Sequence, residues 1–181
     1  GLPWARRDLI ERRAYGRGIL IATRSCPHRC GYCMLPYFYH HHHRCRPVDE
    51  VLAEVAAIKE KALIFWDDNI IGNLAYAREL FQRLRPFRKW WTSQATFNIV
   101  AHDDLVRLAA ESGCQALFIG LESISAASLQ ETGKGFNKPT RYLAGIRKLH
   151  EAGIAIQAGI VFGFDRDDVT IFERTLEFVE Q

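Results

Sequence analysis

Five times along a chain of 181 residues, an aliphatic or aromatic run of strand length gives way to a segment of helical period. The strand-like runs cover residues 18–23, 62–66, 89–95, 116–121 and 155–162. Strands separated by helices return parallel, because a right-handed crossover lays each helix back over the sheet. The runs are almost wholly apolar, as strands packed under helices require. The expected fold class is therefore α/β: an open, partial parallel β/α barrel of TIM-like type with about five βα units. A closed eight-unit barrel needs about 250 residues, and the sequence stops in or just after a helix, so a sixth strand is expected to be missing. Residues 1–17 have no clean period and read as an N-terminal lead-in segment with one helical turn. No linker divides the remainder, so residues 18–181 read as one core domain.

The helical segments carry their own punctuation. Pro47 opens the first, with Val48, Val51, Leu52, Val55 and Ile58 on one face. Asn73 is placed to cap the second, whose stripe is Leu74, Ala77, Leu80, Phe81 and Leu84, and Pro86 ends it. Asp103 is the expected cap of the third and Gly113 its stop. Pro139 starts the fourth, with Tyr142, Leu143, Ile146 and Leu149 inward and Gly153 closing it. Asp168 is the expected cap of the fifth, with Phe172, Leu176 and Val179 as its inner face.

Directly after the first strand-like run stands Cys26-Pro-His-Arg-Cys30-Gly-Tyr-Cys33. A disulfide framework spreads an even number of cysteines through a small, loop-rich chain. Here three of five bunch in one loop of an aliphatic chain, which reads as a metal or cluster site. A structural zinc needs four ligands, and Cys45 or one of the four histidines at 40–43 could complete it. Zinc sites, however, usually draw on two separated pairs. Three thiolates in one excursion suit one cubic iron–sulfur cluster with one iron left open. No apolar stretch approaches a membrane span, no signal peptide leads the chain, and the thiols suit a reducing compartment, so a cytoplasmic location is expected. A net charge of +3 without a dense basic patch disfavours nucleic acid as a partner.

In barrels of this kind chemistry collects at the carboxyl ends of the strands. The second strand ends in Asp67-Asp68-Asn69, the third carries Ser93, Gln94 and Thr96, the fourth ends Gly120-Leu-Glu122-Ser123, and the fifth holds Gly159, Val161 and Gly163. Each has a plainer reading: Asp67 or Asp68 as a helix cap, Gln94 as a satisfied core amide, the glycines as relief for packing. Glu122, after four apolar residues, is expensive there unless paired, and reads as functional.

The order C-x3-C-x2-C after a first strand, with Tyr32 before the last cysteine, resembles the radical S-adenosylmethionine superfamily. The resemblance implies a 4Fe-4S cluster on Cys26, Cys30 and Cys33, whose open iron chelates S-adenosylmethionine. One electron would cleave that cofactor to methionine and a 5′-deoxyadenosyl radical. It further implies that the Tyr32 backbone contacts the adenine and that Asp67 and Asp68 lie near the methionyl amino group. Glu122, with Ser123 and Gln94 beside it on the rim, would hold polar groups of the cofactor, and Gly159, Val161 and Gly163 would flank the adenine. The phrases Phe65-Trp-Asp-Asp-Asn69, Gly120-Leu-Glu-Ser123, Gly133-Lys134 and Phe162-Gly-Phe-Asp165 look like the subgroup often fused to a cobalamin-binding domain. Ser25 departs from the glycine usual before the first cysteine, and cobalamin enters by analogy with the subgroup alone.

The expected function is reductive cleavage of S-adenosylmethionine for hydrogen abstraction or methyl transfer on a small-molecule substrate, with a flavodoxin or ferredoxin as electron donor. Methylthio transfer to tRNA or protein is the enzymatic alternative. A zinc or iron–sulfur module without catalysis is the other.

Overall fold

The computed structural model describes residues 3–11 and 18–181. Of the lead-in segment, Arg7–Leu9 forms a single 3-10 turn, and residues 12–17 lie outside the described residues. In chain order the strands are β1 (Ile19–Leu20), β2 (Thr23–Arg24), β3 (Arg44–Cys45), β4 (Ala62–Phe65), β5 (Trp90–Ala95), β6 (Cys114–Glu122) and β7 (Ala155–Ile160). The helices are α1 (Leu35–Phe38), α2 (Val48–Ala57), α3 (Leu74–Leu84), α4 (Asp103–Glu111), α5 (Ala126–Glu131), α6 (Tyr142–Glu151) and α7 (Ile171–Val179).

The main sheet runs β1-β4-β5-β6-β7 with every pairing parallel. Each strand lies beside its predecessor without a reversal of order, which makes the sheet an arc of a β/α barrel and not a doubly wound sheet. The first apolar run does not make one strand. After β1 it breaks, and β2 pairs antiparallel with β3, Thr23 opposite Cys45 and Arg24 opposite Arg44. This short ribbon closes the loop that carries the three cysteines.

Alternation along the strands separates two faces. Leu63 and Phe65 of β4, Trp91 of β5, and Leu117 and Ile119 of β6 are buried against the helices, whereas Ile64, Trp90 and Phe118 between them are exposed. Trp91 sits at the centre of the helix side, edge-on to Phe65 and against Phe81, with its ring N–H donating to Ser112 Oγ at 3.1 Å. Truncating such a residue to alanine typically costs about 3–5 kcal/mol. The opposite, concave face carries Thr92, Gln94 and Gln157 among its apolar groups and lines an open cavity of about 390 Å³.

Gly18 and Gly113, which lead into β1 and β6, allow the backbones to touch. A Cβ at either would run into the carbonyl oxygen of Ala62 or Lys89.

Asn73 caps α3 as expected, accepting from the backbone N–H groups of Ala75 and Tyr76 at 3.1 Å. Three other expectations are corrected. Asp103 is the first helical residue of α4 and not its cap; His102 precedes it without a side-chain cap. Asp168 accepts from the backbone N–H and hydroxyl of Thr170, which is itself the residue before α7. The inner face of α7 is Ile171 and Thr175 with Phe178 packed on the core, while Phe172, Leu176 and Val179 are exposed. Thr175 hides its hydroxyl by donating to Ile171 O at 2.7 Å, so a polar residue suits the buried side. An additional short helix, α5, follows β6 before the fourth expected helix begins.

Candidate active site

The end of β4 holds the cysteine loop from beneath. The Asp67 carboxylate accepts from Ala22 N at 3.1 Å, from Thr23 N, and from the Thr23 hydroxyl at 2.7 Å. Asp68 accepts from Ser25 N at 2.8 Å. Ser25 has φ +72°, a left-handed conformation that a glycine would adopt without strain, and this turns the chain into Cys26. Asn69 donates to Cys26 Sγ at 3.5 Å. From the other side, Gly31 N donates to Thr132 O at 2.8 Å, tying the loop to the end of α5.

Cys26, Cys30 and Cys33 are free, half-buried thiols lining one cavity of about 140 Å³. Burial pushes the thiols of Cys26 and Cys30 up, and the charge of Lys134 pulls both the other way. Among the described residues no three His, Cys, Asp or Glu side chains could hold a single metal ion. Three soft donors around one cavity suit an iron–sulfur cluster whose thiolates sit on separate irons.

Glu122 enters this cavity from the end of β6 through a strained turn. The register with β7 shifts between Gly120 and Glu122, a bulge that re-aims the side chain that follows it. Glu122 has φ +69°, and Ser123 N donates to Leu121 O at 3.0 Å, the hydrogen bond of a γ-turn with a positive central φ. Such a conformation costs about 1–3 kcal/mol and persists where surrounding contacts over-determine it. They do: the Leu121 carbonyl also accepts from Tyr142 Oη at 2.9 Å and Asn137 Nδ2 at 3.2 Å. The turn brings Glu122 Oε1 to 2.5 Å from Lys134 Nζ, with both side chains largely buried. Tyr32 hydrogen-bonds to the same carboxylate. Its phenol is pushed well above its ordinary range, first by burial and then by the Glu122 charge.

Lys134 reaches Glu122 because of how α5 ends. Gly133 N donates to Gln130 O and Lys134 N to Leu129 O, with Gly133 at φ +72°. This is a Schellman stop, which reverses the chain beneath the cysteine loop.

Of the residues expected at the rim, Cys26, Cys30, Cys33, Tyr32, Asp68, Gln94 and Glu122 meet in the cavity. Asp67 does not. Its carboxylate is fully buried and faces the loop backbone, where three donors hold it. Ser123 is buried beside the turn, its hydroxyl accepting from Ser125 N at 3.0 Å. Gly159, Val161 and Gly163 lie outside the cavity lining, although Val161 N donates to Glu122 O at 2.8 Å and a Cβ on Gly159 would stand 3.0 Å from the Phe118 ring. Lys134 and Asn69 are the additions. A glycine–lysine pair after a short helix was the available signal for the first, and the third polar residue after β4 for the second.

The fold and the site together define a β/α barrel arc with a loop-borne thiol triad over the carboxyl ends of its strands. The family model of the Radical SAM superfamily matches residues 20–179, and the chain belongs to that superfamily. It is 33% identical over 168 residues to the bacteriochlorophyllide d C-12(1)-methyltransferase of Chlorobaculum tepidum, covering 90% of this chain and 37% of that protein. It is 27% identical over 184 residues to the hopanoid C-2 methylase of Rhodopseudomonas palustris, covering 96% and 35%. Its fold matches the radical S-adenosylmethionine methyltransferase TsrM from Kitasatospora setae, solved with cobalamin and a [4Fe-4S] cluster bound. That match has a TM-score of 0.80 at 16% identity over 90% of this chain and 34% of the other. The chain thus spans little more than a third of the length of these curated relatives.

Proposed function

We propose that residues 18–181 are the core of a radical S-adenosylmethionine enzyme that transfers a methyl group to a small-molecule substrate, with cobalamin assisting. The observation that carries this reading is the single cavity shared by three thiols of one loop and a carboxylate held by a strained turn. Cys26, Cys30 and Cys33 would hold the 4Fe-4S cluster. When bound, the cluster supplies the electron for reductive cleavage of S-adenosylmethionine, drawn from a donor such as a flavodoxin or ferredoxin. Asp68, Gln94 and the Glu122–Lys134 pair would supply polar contacts to that cofactor, and the Tyr32 backbone would meet the adenine. Gly159, Val161 and Gly163 would flank the adenine, a reading supported by the bond from Val161 N to Glu122 O at 2.8 Å that sets them beside the site. Asp67 and Ser123 act through backbone geometry. The methyl-transferring relatives support the reaction type, and the aromatic and amide groups of the open concave face, Trp66, Phe118, Gln94 and Gln157, support a largely apolar substrate.

Anaerobic reconstitution tests the reading. Uptake of about four irons per chain is expected, with a paramagnetic signal of the reduced cluster that changes on adding S-adenosylmethionine. A protein that takes up zinc and no iron would sink it.

A further inference from the structure

Asn69 is 1% exposed and held at both ends of its amide. Nδ2 donates to Cys26 Sγ at 3.5 Å, Oδ1 accepts from Thr96 N at 3.3 Å, and the Asn69 backbone carbonyl accepts from Gly72 N at 2.9 Å. The Thr96 contact decides which way the amide points. A backbone N–H only donates, so the oxygen must face it and the NH2 group must face the sulfur. Among the described residues, neither Cys30 nor Cys33 receives a side-chain donor on its sulfur, so the three thiols are not equivalent.

Hydrogen bonds to ligating sulfur are one of the means by which a protein sets a cluster's reduction potential. Reduction adds negative charge to the cluster and its sulfurs. A fixed donor therefore stabilises the reduced state more than the oxidised one and raises the potential. Resting on the ligand assignment above, we infer that Asn69 is a positioning residue that raises the potential of the cluster through its N–H···S bond to Cys26. It eases loading of the electron from the donor and moderates the driving force toward the sulfonium.

The test is a redox titration of the reconstituted chain, followed by the paramagnetic signal of the reduced cluster. Asn69→Leu keeps approximate size and neutrality but removes the donor. It is expected to keep the wild-type iron content while lowering the potential by the equivalent of about tenfold in the reduction equilibrium, ~59 mV for one electron. Asn69→Asp keeps the acceptor for Thr96 N, loses the N–H and adds charge, so its potential should fall further. A residue with a merely structural role would alter iron content or melting temperature and leave the potential of the bound cluster where it was. Asn69→Leu with full iron and an unchanged potential overturns the inference. Should that variant fail to hold iron, an Asn69→Asp potential at or above wild type does the same. A wild-type chain that takes up no iron overturns the ligand assignment as well, and iron analysis separates that result from the others.

Discussion

Burial pushes the Asp67 carboxyl up to about 6, against the pull of the Thr23 and Ala22 donors that favour its ionised form. An unfolded aspartate titrates near 4. Because the folded value is the higher, the fold favours the protonated form, so the contribution of Asp67 is intact below about pH 4 and is lost as pH rises through about 6. Wild type should therefore lose about 2 kcal/mol relative to Asp67→Asn between pH 4 and pH 7, as measured by denaturant unfolding at each pH. Lys134 and Glu122 set a second expectation. Breaking a buried pair leaves an uncompensated charge, so Lys134→Met should cost about 3–5 kcal/mol. Adding Glu122→Gln to it should recover part of that loss, and a double-mutant cycle of thermal unfolding measures the coupling. At this scale the thiols were legible because their spacing is local. The fate of Asp67 was not, since nothing in Phe65-Trp-Asp-Asp-Asn69 says which carboxylate turns under the loop and which faces the cavity.

Helix ends decide which side chains reach the rim. The stop after α5 places Lys134, and its left-handed glycine has Arg29 O at 3.2 Å from any added Cβ. Gly133→Ala should destabilise the protein by about 1 kcal/mol or more in denaturant unfolding. It should also weaken protection of the Gly31 amide from hydrogen exchange, because the cysteine loop leans on this turn. The element scale also explains the misreading of α7. Both Phe172-Leu176-Val179 and Ile171-Thr175-Phe178 have helical spacing, and hydrophobicity alone favours the first. Packing chose the second. Phe172 instead stacks on Phe162 with ring centroids 4.8 Å apart. The apolar faces of α2 and α3 were read correctly because each has one stripe of large apolar residues with no second candidate, although the buried Glu54 of α2 was not foreseen.

Across the whole molecule, the sheet order followed from five strand-then-helix repeats, which leave few alternatives once crossovers are right-handed. The break of the first run into β1 and β2 did not follow from them. It depends on pairing with Arg44 and Cys45, twenty residues further along the chain. Because the cluster joins a loop that the fold has already shaped, binding it should stabilise the native state. The reconstituted chain is expected to melt at a higher temperature than the iron-free one by calorimetry. Cys45→Ser should show the same rise, and Cys30→Ser none. Among the described residues no helix is long and apolar enough to cross a membrane.

The close backbone approaches at Gly18 and Gly113 lie at the opposite ends of the strands from the thiols and Glu122. Random mutation therefore meets two separate kinds of failure in this protein. A lesion at the amino end removes the protein itself and would appear in a screen as lost expression. A lesion at one of the half-buried thiols spares the helix-side core and alters the chemistry. New specificities can accumulate on the exposed concave face around Trp66 and Phe118 while the amino end is held constant, and a library confined to those positions would keep most of its members folded.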